Sequence, residues 1–106
     1  MVKVDIVRNQ NSKISKIKVW HHAGSGDYGF DLVCAGVSAI MIGALNAFDQ
    51  MSLPAKLTMD PSPLICIDWL GSDEGQEMME IIYIQLKTIE EQYSNYIVIK
   101  EKEEIR

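Results

Sequence analysis

Val2, Val4 and Ile6 alternate with Lys3 and Asp5 at the start of the chain. A period of two marks a strand with one buried face, and the pattern runs to about Arg8. The polar run Asn9-Gln10-Asn11-Ser12-Lys13 reads as a turn. Alternation resumes from Ile14 to Trp20, where Ile17 and Val19 oppose Lys16 and Lys18. The two segments predict a hairpin. Next come three glycines, Gly24, Gly26 and Gly29, within six residues, the mark of a mobile or tightly turned loop.

From Leu32 to about Met51 the pattern changes to a long run that is apolar on nearly all sides, with Ala35, Ala39, Ala44 and Ala47 permitting close approach. Such a run predicts a central, buried helix. Lys56 to Met59 reads as a short strand, Pro61-Ser62-Pro63 as a turn, and Leu64 to Leu70 as a strand rich in β-formers. Ser72 and Asp73 are helix-cap types, with Gln76 at the capping-box distance from Asp73. Met79, Ile82, Leu86, Ile89 and Tyr93 then recur at steps of three and four, the stripe of an amphipathic helix laid on a sheet. Tyr96 to Lys100 predicts a last strand, and Glu101 to Arg106 a charged tail. The order β-β-α-β-β-α-β defines an α+β fold: a single layer of mostly antiparallel sheet with two helices, in one domain over residues 1–106.

Composition narrows the function classes. The chain has 106 residues, 47% hydrophobic and 24% charged, ordinary for a soluble globular unit. Its net charge is −5. Its few cations are scattered along the chain, with Lys13, Lys16 and Lys18 the densest group, so direct binding to nucleic acid or to an anionic membrane is not expected. The N-terminus lacks the apolar run of a signal peptide, and the stretch Leu32 to Ala47 is short for a membrane span. Two cysteines without a secretion signal predict reduced thiols and a cytoplasmic location.

Four residues carry candidate chemistry: His22, Asp31, Cys34 and Ser38. His22 ends a strand, Cys34 falls in the first turn of the predicted helix, and the glycine loop between them is long enough to bring both to one cleft. A helix N-terminus stabilises a thiolate, and an imidazole can take its proton. The free N–H groups there would also hold an oxyanion. Each residue has a plainer role as well. Asp31 caps the helix or orients His22. Ser38, one turn beyond Cys34, bonds to the site or back to the Cys34 carbonyl. A cysteine in an apolar helix is commonly inert packing, the role assigned to Cys66. His21 and His22 point to opposite faces of a strand, and alternation alone does not choose between them. Gly24-x-Gly26-x-x-Gly29 matches a dinucleotide fingerprint, but a hairpin precedes it, Asp27 stands where phosphates must sit, and the chain is too short for paired nucleotide-binding halves. Two cysteines and two adjacent histidines lack zinc-ligand spacing, so neither metal nor cofactor is expected.

The run His22-Ala23-Gly24, Tyr28-Gly29, Asp31-Leu32-Val33-Cys34-Ala35-Gly36-Val37-Ser38 resembles the ribosomal-processing cysteine protease family (Prp). The likeness continues in the element order and in Thr88-Ile89-Glu90-Glu91-Gln92-Tyr93. It implies a cysteine endopeptidase that trims the N-terminal extension of a large-subunit ribosomal protein precursor after paired aromatics. It further implies a homodimer and a glycine loop that moves as substrate enters. By this resemblance His22 is the base and Cys34 the nucleophile, with Asp31 and Ser38 at supporting positions. The family commonly has glycine where His21 stands, a departure that bears on substrate fit. Gly24, Gly26, Tyr28 and Phe30, with Met41, are the candidate substrate-binding residues, chosen for their place near the motif. The readings from other classes are a non-catalytic ribosome-assembly binding module and a thiol redox sensor.

Overall fold

The computed structural model describes residues 1–21, 28–61 and 64–104, with backbone alone at His21 and Tyr28. Five strands and two helices follow in the expected order: β1 (Val2–Arg8), β2 (Ile14–His21), α1 (Tyr28–Gln50), β3 (Ala55–Asp60), β4 (Leu64–Trp69), α2 (Asp73–Gln92) and β5 (Ile97–Glu103). The strands form one sheet in the order β3-β4-β2-β1-β5. All neighbours are antiparallel except β1 and β5, which run parallel. The α+β architecture is therefore as predicted, with a mixed sheet.

The hairpin β1–β2 is set by its turn. Asn9 Oδ1 accepts from the N–H groups of Asn11 and Lys13, and Ser12 takes a left-handed backbone (φ 61°). Side chains then sort by parity, except at Ile14, which a register shift opposite Arg8 also turns into the core. Val2, Val4, Ile6, Ile17, Val19, Ile65, Ile67 and Ile97 are buried in one cluster with helix residues, so both helices cover the same face of the sheet. Among the described residues the other face carries no helix.

Four expectations are revised. First, α1 begins at Tyr28, four residues before Leu32. Gly29 lies so close to Tyr96 that an added Cβ would stand 2.9 Å from its ring, and the Phe30 and Tyr96 rings meet at 6.5 Å and 57°. A contact from the far end of the chain thus holds Tyr28-Gly29-Phe30 in the helix. Second, α1 is not buried all round. Val33, Val37, Met41, Ala44 and Phe48 form its inward stripe, while Leu32, Ala35, Ala39 and Ile42 are exposed. By length and composition it would suffice to cross a membrane; here its inner stripe packs on the sheet.

Third, Gln76 makes no capping box. Ser72 caps α2 alone, its Oγ accepting from Gly75 N–H at 3.1 Å. The Gln76 side chain instead turns inward, accepting from Ile14 N–H (2.7 Å) and donating to Ile14 C=O (3.0 Å). Fourth, the charged tail is largely strand. β5 continues to Glu103 because its alternating charges find partners: Lys102 Nζ meets Asp5 Oδ2 at 2.9 Å, and Glu101 accepts from Arg8 Nε at 3.2 Å.

Folding also gathers the lysines. Lys3, Lys16, Lys18, Lys56, Lys100 and Lys102 all occupy helix-free-face positions, paired across the strands in three rows. The expectation that the cations stay scattered does not survive the sheet register.

Candidate active site

Cys34 sits half-buried on α1, six residues beyond the helix start. At about 1.5 Å per residue that is roughly 9 Å along the axis from the free N–H groups of the first turn. Its own N–H is inside the helical ladder. The expected placement of the sulfur at the helix terminus is therefore corrected, and with it the macrodipole as the source of thiolate stability. The described surroundings push the Cys34 thiol up, first through burial and then through the Asp31 carboxylate, with the N-terminal amine pulling the other way. A reactive thiolate here needs a cationic or proton-accepting neighbour.

The sulfur lines a cavity of about 90 Å³. From α1 come Val37, Ser38, Met41 and Ile42; from the strands Val2, Val19 and Ile65; from the end of β3, Met59 and Asp60. Cys34 and Ser38 lie one turn apart on the same wall, so thiol and hydroxyl open on the same apolar space. Val2 and Val19 bring the β1–β2 hairpin to this cavity, and His21, the last residue of β2, pairs with Val2.

Asp31 lies exposed in the first turn of α1, inside the helix and not at its cap. Met41 lines the cavity. Phe30 packs on Tyr96 and is not among the cavity-lining residues. His22, Gly24 and Gly26 lie outside the described residues, as does the Tyr28 side chain. Sequence reasoning missed Met59 and Asp60. The Pro61-Ser62-Pro63 turn marked the end of their strand, but only the sheet order brings that end beside α1. Among the described residues no cluster of metal-ligating side chains occurs.

Cys66 differs in place. It is buried on the helix-free face, its Sγ 3.7 Å from Asp68 Oδ2, and burial followed by that carboxylate pushes its thiol up.

A thiol and a hydroxyl over an apolar cavity suit acyl-transfer chemistry on a peptide carbonyl. Residues 1–98 match the family described as cysteine protease Prp, and the chain belongs to that family of peptide hydrolases. The ribosomal processing cysteine protease Prp of Staphylococcus aureus is 33% identical over 96% of this chain and 100% of its own length. That of Mycoplasma genitalium is 30% identical over 96% of this chain and 97% of its own. The crystal structure of the S. aureus protease in complex with a substrate peptide superposes with a TM-score of 0.88, at 32% identity, over 96% of this chain and 100% of that one. The same enzyme in complex with a covalently linked product peptide gives 0.84 at 33% identity, with the same coverage. The family, the α+β fold and the enzyme class are thereby established.

Proposed function

We propose that this protein removes the N-terminal extension of a large-subunit ribosomal protein precursor, with Cys34 as nucleophile and His22 as general base. The carrying observation is that Cys34 opens onto the apolar cavity, whereas Cys66 is buried on the opposite face of the sheet. Similarity to proteases named for ribosomal processing, the S. aureus one seen both with a substrate peptide and with a covalently linked product peptide, supports the substrate class.

In this mechanism His22 accepts the thiol proton, which offsets the upward push of burial and Asp31 on Cys34. The thiolate attacks the scissile carbonyl carbon, and the oxygen takes the negative charge. The C–N bond then breaks as His22 returns the proton to the leaving amine, leaving a thioester. Water, deprotonated by His22, attacks the thioester and releases the carboxylate and the free thiol. The Ser38 hydroxyl, one turn from the sulfur, is positioned to donate to substrate oxygen. Met41, Ile42 and Met59 form an apolar seat for a side chain next to the cut bond.

The protein is proposed to act in the cytoplasm as a homodimer. Two free thiols fit a reducing compartment, and exposed Leu32, Ile81 and Ile84 offer apolar surface that a second copy would cover. Light scattering on the purified chain reads the oligomer directly. For the chemistry, Cys34→Ala and Cys34→Ser should each abolish cleavage of a peptide spanning the extension junction, read as product mass, with circular dichroism unchanged. Turnover retained by purified Cys34→Ala removes the assignment.

A further inference from the structure

We infer that the helix-free face of the sheet binds single-stranded RNA. The sheet register arranges this face in three rows across β3, β4, β2, β1 and β5. One row reads Lys56, Asp68, Lys16, Val7, Lys102; the next Thr58, Cys66, Lys18, Asp5, Lys100; the third Asp60, Leu64, Trp20, Lys3, Val98. It holds six of the chain's ten cations and three of its fifteen carboxylates. The face is therefore net +3 in a protein of net charge −5.

Two of the lysines are engaged: Lys16 with Asp68 at 3.5 Å and Lys102 with Asp5 at 2.9 Å. Lys3, Lys18, Lys56 and Lys100 take part in no ion pair among the described residues. The Lys18 ammonium stands 4.8 Å from the centre of the Trp20 ring. Cation and π-face thus lie side by side in the middle strand.

This chemistry selects the partner. Unpaired lysines spread over a sheet attract a polyanion of extended backbone. Among the described residues no helix lies on this face to enter a duplex groove. A half-buried indole among lysines matches strands whose unpaired bases stack on aromatic side chains while phosphates meet cations. A nucleobase that stacks on Trp20 displaces the Lys18 ammonium toward the adjoining phosphate. An acidic polypeptide would use the charges but has no planar base for the indole.

The test is fluorescence anisotropy of the full chain with a labelled, unstructured 20-nucleotide RNA. Release of counterions from about four phosphates predicts a salt slope near −3, or about fifty-fold weaker binding at 200 than at 50 mM salt. The triple variant Lys3→Gln/Lys18→Gln/Lys100→Gln should bring the slope to about −1 and weaken binding by about ten-fold or more, with peptide cleavage unchanged. Trp20→Leu should weaken RNA binding by about five-fold or more while leaving binding of polyglutamate as it was. If circular dichroism shows the triple variant unfolded, Lys56→Gln/Lys100→Gln, at two exposed positions, gives the same reading with a smaller change in slope. No binding at 50 mM salt, wild-type binding by the folded lysine variant, or polyglutamate of equal length binding as tightly as RNA would each overturn the inference.

Discussion

Cys34, the proposed nucleophile, sits in a frame that works against its thiolate. Burial raises the thiol, and Asp31, one turn earlier, raises it further. The sequence motif singled out the residue as a candidate because spacing is visible in a string. Its electrostatic setting was not visible, because the helix start depends on Tyr96, far along the chain. Asp31→Asn isolates one of the two effects. Removing a negative charge near a thiol favours the thiolate, so the pH midpoint of Cys34 alkylation by iodoacetamide should move down. An upward movement would mean that Asp31 acts through the proposed imidazole partner of the thiolate, the orienting role. The measurement therefore separates the two roles that the sequence left open.

At the scale of elements, packing decides what local signals only suggest. Gln76 lay at a capping-box position, yet its amide is spent on both polar groups of buried Ile14. Gln76→Leu would leave that N–H and C=O without partners. A cost on the order of 2–3 kcal/mol is expected in urea denaturation, since each orphaned buried group carries a desolvation penalty. The helix glycines make a matched pair. Gly29 touches the Tyr96 ring, so Gly29→Ala must shift that ring or the start of α1, with an expected loss of about 1–3 kcal/mol and a fall in kcat/KM. A Cβ at Gly43 meets nothing within 4 Å, so Gly43→Ala should stabilise by about 1 kcal/mol through helix propensity, with activity unchanged. Equal melting shifts in the two variants would show that the Tyr96 contact does not hold the helix start. Periodicity had located all seven elements, since strand and stripe patterns are local. It misjudged the ends of α1 and β5, where tertiary partners extend the element.

For the whole molecule, net charge conceals a strong asymmetry. The sequence shows only the total, because strand alternation and pairing order are what carry the lysines to one side. The helices opposite are more acidic than that face is basic: α1 holds Asp31 and Asp49 with no cation, and α2 holds six carboxylates against Lys87 alone. The cavity beside Cys34 lies on this acidic side. A field of this sign draws in cationic chains and raises their rate of encounter. Ribosomal proteins are basic, so the proposed precursor should be steered toward the cavity and the segment after the cut held near it. Two junction peptides with one scissile sequence test this, one with lysines after the cut and one with glutamates there. At 50 mM salt the lysine peptide should show kcat/KM about ten-fold above the glutamate peptide, and the two should converge by 500 mM as the Debye length shrinks to a few ångström. A gap that persists unchanged at high salt would place the preference in direct contacts at the cavity, not in the charge separation between the helices and the sheet.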